Sequence, residues 1–426
     1  MKTMKKIITL LLCLAVLSSS LTLSSCMYLL QGERDKDYIT REELDAALSG
    51  LLAGDVTVEG GDNYDITIEG ADRTIAAAAK SLLSAVSVIC SFSVKGSTGI
   101  GGTQTSVAYS AGSGVIYKLD KTSGDAYVIT NYHVVYNNQA LGTNKISEDI
   151  SLFLYGMENT AYAIPATYVG GSMQYDLAVL KVEGSRVLAE SNAAAASFAN
   201  SNEVAVLDTA IAVGNPESEG ISATVGYVNV DSEYVTLNFT DTTGTVEVEL
   251  RVMRMDTAVN SGNSGGGLYN SEGELIGIVN AKMTDSENIG YAIPSNIVKY
   301  VTENILYYCD GVNVRTPYRA LVGITVTADK MYTSVDPEDG SIHKCEDVIV
   351  QEVSAGAVAE GHLLAGDIIK SIEIDGTEYE VSRIFMVVDS MLNARAGSTV
   401  TFKILRSGEE ASVTVTIPES ALTAWK

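Results

Sequence analysis

Short runs of β-branched and aliphatic residues, each closed off by Gly, Asn or Asp, constrain this chain more than any other feature. Ser113-Gly-Val-Ile-Tyr117, Ala178-Val-Leu-Lys-Val182 and Leu275-Ile-Gly-Ile-Val279 are examples. They read as strands, and turn signals at this density predict all-β barrels. At 426 residues the chain is too long for one compact core, so two domains with appendages are expected. A hydrophobic share of 46% with 38 glycines and only 6 prolines fits globular packing rich in turns and argues against wholesale disorder.

Residues 256–267, Asp-Thr-Ala-Val-Asn-Ser-Gly-Asn-Ser-Gly-Gly-Gly, set one serine, Ser264, among glycines at 262, 265, 266 and 267. Such a backbone can approach a ligand closely and aim its amides at a developing oxyanion, so Ser264 reads as a nucleophile. A serine hydroxyl needs a base. Of the three histidines, His343 and His362 lie far downstream, which leaves His133 in Val-Ile-Thr-Asn-Tyr-His-Val-Val. Its β-branched neighbours predict a strand end. Between base and nucleophile, Asp176 stands at the entrance of the hydrophobic run 177–182 and is placed to orient the imidazole. The order His, Asp, Ser is that of chymotrypsin, unlike the orders of subtilisin and the α/β-hydrolases. Taken singly, each residue also fits a core histidine, a turn acid or an ordinary Gly-rich turn. Their order and spacing argue for the triad.

Six ordered motifs carry a family likeness: Gly-Ser-Gly-Val-Ile at 112–116, Thr-Asn-Tyr-His-Val-Val at 130–135, Tyr-Asp-Leu-Ala-Val-Leu at 175–180, Ala-Val-Gly-Asn-Pro at 212–216, Gly-Asn-Ser-Gly-Gly at 262–266 and Ile-Gly-Tyr-Ala-Ile-Pro-Ser-Asn at 289–296. The chain resembles the HtrA/Deg-type trypsin-like serine proteases of bacteria with one C-terminal PDZ domain. The family usually has Asn at the place of Tyr132 and Pro or Arg at that of Ser261. The resemblance implies a mainly β protein, a chymotrypsin-like double β-barrel over 76–312 and a PDZ domain over 313–426, with His133, Asp176 and Ser264 in the cleft between barrels. It also implies an oxyanion hole at Gly262 and Ser264 with help from Asn263. By alignment to the trypsin-like pattern, Ala258 lies near the base of the S1 pocket. No acid occupies that place, so cleavage after small or medium aliphatic residues is expected. Asn263 stands where zymogen-activated relatives carry Asp, and a neutral amide cannot pair with a freed N-terminus; no activating cleavage is expected.

Arg319-Ala-Leu-Val-Gly-Ile324 resembles the carboxylate-binding loop of PDZ domains, which makes Leu321, Val322, Gly323 and Ile324 candidate binders of peptide C-termini. Leu364-Ala-Gly-Asp-Ile-Ile resembles another block of the same domain. Met331 to Cys345 reads as an inserted acidic loop.

The N-terminus carries an address. Lys2, Lys5 and Lys6 precede an apolar Ile7–Val16 stretch too short to span a bilayer comfortably, so 1–25 reads as a signal peptide. Leu23-Ser-Ser-Cys26 resembles a bacterial lipobox, with diacylated Cys26 anchoring the chain without a membrane-spanning helix. Residues 26–75 then read as a stalk: a helix capped by Thr40 and Glu43, and a hairpin of Asp55-Val-Thr-Val-Glu-Gly60 with Asp65-Ile-Thr-Ile-Glu-Gly70 around Gly61-Asp-Asn63. The stalk helix and the family's habit point to a homotrimer. Three cysteines beyond the anchor argue against a disulfide framework, and Cys90 reads as a small core hydrophobe.

A formal charge of −25, which becomes −28 without the three lysines of the leader, would repel phosphate backbones, so no nucleic-acid partner is expected. No metal spacing occurs and no cofactor is expected. The residues together point to an ATP-independent endopeptidase acting on unfolded extracytoplasmic chains whose C-termini engage the PDZ groove. The alternatives are a regulatory protease of one membrane signalling protein and a catalytically inactive chaperone or PDZ scaffold, the latter disfavoured by the intact triad.

Overall fold

The computed structural model describes residues 56–59, 65–68, 73–98, 102–142, 144–241, 244–280, 289–309, 317–337 and 340–424. The signal peptide, Cys26 and the helix expected after Thr40 lie outside these residues. The hairpin is described: β1 (Val56–Glu59) and β2 (Asp65–Ile68) pair antiparallel, Val56 opposite Ile68. Helix α1 (Arg73–Leu82) leads into the first barrel.

That barrel closes from β3 (Ala85–Thr98), β4 (Gly102–Asp120), β5 (Asp125–Thr130), β6 (Asp149–Leu154), β7 (Ile164–Ser172) and β8 (Leu177–Val182), in the order β3-β4-β5-β8-β7-β6. The period-2 pattern of each strand decides which side chains fill it. Val86, Val88 and Cys90 of β3 meet Ile116, Val128, Leu152, Ile164 and Leu180 inside. Burial pushes the Cys90 thiol up to about 12, so the group sits there as an apolar filler. The second barrel joins β9 (Thr209–Gly214), β10 (Ser222–Thr240), β11 (Thr245–Met255), β12 (Gly267–Tyr269), β13 (Leu275–Val279) and β14 (Gly290–Pro294) as β10-β11-β14-β13-β12-β9. The two closed six-stranded barrels match the architecture that the sequence motifs implied.

β8 is buried on both faces, which explains why its run is continuously apolar. Ala178 and Leu180 point into the first barrel, while Leu177 and Val179 join a cluster with Ile297, Val298, Val301 and Ile305. Those last four repeat at helical spacing along one stripe of the long helix Ser295–Tyr308 that follows β14. This helix therefore belongs in sequence to the second barrel and packs on the first. Each fully buried Ile or Leu in the seam contributes about 1.5–3 kcal/mol. Two short helices precede it, α2 (Tyr132–Val135) after β5 and α3 (Arg186–Glu190) after β8, so the long helix is α4.

The C-terminal domain pairs β15 (Tyr318–Ala320) with a last strand at Leu422–Ala424. Its main sheet runs β16 (Ile324–Val335), β17 (Ile342–Val353), β18 (Ile368–Ile374), then the strands Thr399–Arg406 and Glu409–Thr416, with β19 (Thr377–Glu380) on β18. These remaining strands are β20 (Thr399–Arg406), β21 (Glu409–Thr416) and β22 (Leu422–Ala424). Helix α5 (Ile384–Ser390) covers the core of Val348, Ile372, Phe402 and Ile404. The expected acidic loop at 331–345 is instead the far end of the β16–β17 hairpin. After a register shift between Asp329 and Tyr332, pairing resumes through Tyr332–Cys345 and Val335–Ile342. Asp336 falls at the hairpin's turn, its N–H bound to the Ser341 carbonyl at 2.9 Å.

Charge fastens this domain to the second barrel. Arg251 of β11 donates to Asp389 of α5 at 2.5 Å, and Asp231 of β10 receives Arg383 at 2.5 Å and Lys344 at 3.3 Å. The guanidinium groups of Arg251 and Arg383 lie over the Phe385 ring, 3.9 and 4.8 Å from its centroid. Burial holds the Asp389 carboxyl above its usual range in spite of Arg251. Arg251→Ala strands that carboxylate, and we expect a loss of about 3–5 kcal/mol in chemical denaturation. The sign with pH follows from the raised carboxyl: the folded variant takes up a proton more readily than the unfolded chain, so the penalty is full at neutral pH and shrinks as pH falls. A pH-independent loss would contradict this assignment.

Candidate active site

β5 ends at Thr130, and the chain turns at Asn131 into the single helical turn α2, which carries His133. The histidine sits one turn past the strand end that its neighbours predicted, because the Val134 and Val135 side chains are buried in the first barrel and wind the backbone inward. Asp176 follows β7 in the β7–β8 connection. It is fully buried and left-handed, with φ +48°. A non-glycine residue in that region costs on the order of 1–3 kcal/mol and persists only where its surroundings dictate it.

Those surroundings are polar and specific. His133 Nδ1 lies 2.7 Å from Asp176 Oδ2, and the His133 backbone N–H donates to Oδ1 at 3.0 Å. Asn280, beyond β13 of the second barrel, donates its side-chain amide to Oδ2 at 2.8 Å. The Asp176 carbonyl accepts from Asn131 Nδ2 at 2.8 Å and from the Tyr132 N–H at 3.1 Å. Hydrogen bonds from two barrels thus fix one aspartate. The arrangement keeps the proton of the neutral imidazole on Nδ1 and leaves Nε2 as the acceptor.

Ser264 lies across from this pair. His133, Ser264, Ser261 and Gly262 line one cleft of about 590 Å³, closed on its other side by Ala111, by Tyr136 to Asn138 and by Asn238 to Thr240. The Tyr136 hydroxyl donates to the Thr240 carbonyl at 3.3 Å, so the tip of the β10–β11 hairpin touches the first barrel here. Three distant sequence positions therefore meet in the groove between barrels.

The glycine-rich turn has a complete hydrogen-bond account. A trans peptide carries its C=O and N–H on opposite edges. The Ser261 carbonyl accepts from the Glu217 N–H at 2.8 Å, which turns the Gly262 N–H the other way, toward the cleft. The Asn263 carbonyl accepts from the Gly266 N–H at 2.9 Å and so frees the Ser264 N–H on the opposite edge. The Asn263 N–H is bound to the Asn260 carbonyl at 3.0 Å and is turned away from any ligand. Asn263 thus holds the turn, and the amides left are those of Gly262 and Ser264, neither of which has a hydrogen-bond partner among the described residues. Gly262, at φ +99°, leaves no room for a side chain, since a Cβ would strike the Asn215 carbonyl. Gly265, at φ +85°, is likewise pressed on the Ser113 carbonyl and the Thr130 hydroxyl.

Ala258 is exposed outside the wall of this cleft, its carbonyl accepting from Thr224 Oγ1 at 3.0 Å. In the C-terminal domain, Leu321 is 46% exposed with its N–H bound to the Ala421 carbonyl, Val322 is buried, Gly323 is left-handed at φ +77°, and Ile324 opens β16. The N–H groups of Val322 and Gly323 make no hydrogen bond among the described residues. The described residues contain no group of three His, Cys, Asp or Glu side chains that could hold a metal ion, and no helix long and apolar enough to cross a membrane.

Two closed barrels with this His–Asp–Ser groove and a C-terminal sheet domain define a class, and family comparison agrees: a trypsin-like peptidase domain matches residues 112–278 and a PDZ domain residues 320–417. The chain belongs to the Do-like HtrA family of serine proteases. It is 35% identical over 312 residues to the serine protease Do-like HtrA of Bacillus subtilis, spanning 70% of this chain and 62% of that protein. To the serine protease Do-like HtrA of Lactococcus lactis subsp. cremoris it is 32% identical over 323 residues, 73% of this chain and 71% of the relative. The periplasmic serine endoprotease DegP of Escherichia coli is 28% identical over 330 residues, covering 76% of this chain and 60% of that one.

Proposed function

We propose that the chain is an ATP-independent serine endopeptidase that hydrolyses peptide bonds of unfolded or damaged extracytoplasmic proteins. The observation that carries this reading is the buried Asp176 bonded to His133 in the cleft that Ser264 shares, beside two unengaged amides. Ser264 Oγ attacks the carbonyl carbon while His133 Nε2 takes the hydroxyl proton. Asp176 holds the imidazole and stabilises its charged form. The N–H groups of Gly262 and Ser264 receive the oxyanion; on collapse, the C–N bond breaks and His133 returns the proton to the leaving amine. Water, deprotonated by the same imidazole, then cleaves the acyl-enzyme.

The Ser261 carbonyl is held by the Glu217 N–H, a bond that needs no freed N-terminus, and this supports activity without zymogen cleavage. Ala258 itself brings no charge to the place that the trypsin-like pattern gives the base of the S1 pocket, and this supports a P1 preference for Val, Ala or Ile. A peptide library in which Arg or Lys at P1 is cleaved fastest would refute that preference. Substrate C-termini would bind at the PDZ loop, where Val322 and Gly323 offer their amides to a carboxylate. Anchoring through acylated Cys26 and assembly as a homotrimer complete the proposal; sedimentation of the unlipidated protein reads the latter. Incubation of purified protein with β-casein, in the absence of nucleotide, tests the core of it. Casein left whole after prolonged incubation at high enzyme concentration would favour the PDZ scaffold instead.

A further inference from the structure

We infer that Ser113, a residue of the first barrel, is the positioning residue that holds the oxyanion turn of the second barrel in its working shape, an inference that rests on the peptidase reading. Ser113 is fully buried in β4. Its backbone N–H donates to the Ser264 carbonyl at 2.8 Å, and its hydroxyl donates to the Gly262 carbonyl at 2.7 Å. Gly262 and Ser264 are the two residues whose amides remain for the oxyanion, and Ser113 is bonded to the carbonyl of each.

The same hydroxyl accepts the Asn215 N–H at 2.8 Å. Asn215 begins the short turn whose Glu217 N–H clamps the Ser261 carbonyl, so one oxygen atom joins the clamp to the turn that it clamps. Ser113 is itself held, because its carbonyl accepts from Thr130 Oγ1 at 2.7 Å. No atom of Ser113 lines the cleft. Its action is through the backbone of the residues that do.

Without the hydroxyl, the Gly262 carbonyl and the N–H of the buried Asn215 lose their shared partner, and an unmet buried polar group favours rearrangement. The glycine at 262 makes rotation of its flanking peptides easy. Loss of the Asn215 bond loosens the turn whose Glu217 N–H clamps the Ser261 carbonyl, and rotation of the freed 261–262 peptide turns the Gly262 N–H away from its working direction. The His133–Asp176 pair, on the other side of the groove, is untouched.

The test compares the wild type, S113A and S113T in steady-state hydrolysis of a peptide substrate over a range of pH. Loss of a whole oxyanion donor costs about 10²–10³-fold in kcat, so partial loss in S113A should cost about 10- to 100-fold, with KM within about twofold. The acid limb of kcat/KM should stay at its wild-type pH, and S113T, which restores a hydroxyl, should recover most of the rate. S113A with kcat within twofold of wild type overturns the inference, as does S113T as slow as S113A. Should S113A fail to fold, S113C reads the same contrast: its weaker donor predicts a rate below that of S113T, and equal rates overturn the role. A wild-type chain that cleaves nothing would instead sink the peptidase reading itself.

Discussion

Ser264→Ala will lower peptide hydrolysis about 10⁴- to 10⁶-fold and leave the fold unchanged. The change removes one oxygen from a residue only 6% exposed, and the backbone bonds that shape the turn survive it. The Ser264 carbonyl keeps the Ser113 N–H, and the Gly265 N–H keeps the Val279 carbonyl at 3.0 Å. The substrate then still finds the cleft and its amides but no attacking group. Hydrolysis rates of the two purified proteins, beside their unfolding midpoints, provide the measurement. A variant that keeps a tenth of wild-type activity would place the nucleophile elsewhere and dismantle the mechanism.

Asp176→Asn is expected to cost about 10⁴-fold in kcat with little change in KM. The amide is nearly the shape of the carboxylate, but the site contains three donors aimed at its two oxygens: the imidazole, the His133 N–H and the Asn280 amide. An amide group must present its NH₂ to one of them. Where it faces the ring, the imidazole proton moves to Nε2 and the base becomes a donor toward Ser264. The penalty therefore lies in the chemical step, which the split between kcat and KM reads. An equal fall in kcat/KM carried wholly by KM would assign Asp176 to substrate binding.

Much of this site was legible because its chemistry needs rare residues in fixed order. With only three histidines in the chain, His133 had no rival, and Ser264 announced itself by glycines that the turn demonstrably requires at 262 and 265. Asn280 was not legible. It stands at the end of an ordinary apolar strand, and its role arises from a fold that brings β13 to Asp176 across a separation of 104 residues. Ser113 stands within the Gly-Ser-Gly-Val-Ile motif, but nothing in that sequence signals that both its backbone and its hydroxyl are used. The resemblance implies help from Asn263 at the oxyanion hole, whereas the turn spends that residue's N–H on the Asn260 carbonyl. The closed barrels followed from strand and turn chemistry together with the motifs. The long hairpin at 324–353 did not, since a bulge at Asp329 to Tyr332 and a cluster of acids interrupt the alternation that marks a strand.

The packing of α4 on β7 and β8 has a bearing on when the molecule can first act. His133 and Asp176 lie early in the chain, but the amide that steadies Asp176 is at residue 280 and the helix that clamps the barrels together ends at Tyr308. Proteins emerge from the ribosome N-terminus first. A chain emerging in that order therefore has its base and carboxylate long before the residues that bring them into register with Ser264, and the groove is complete only once the last protease helix has followed.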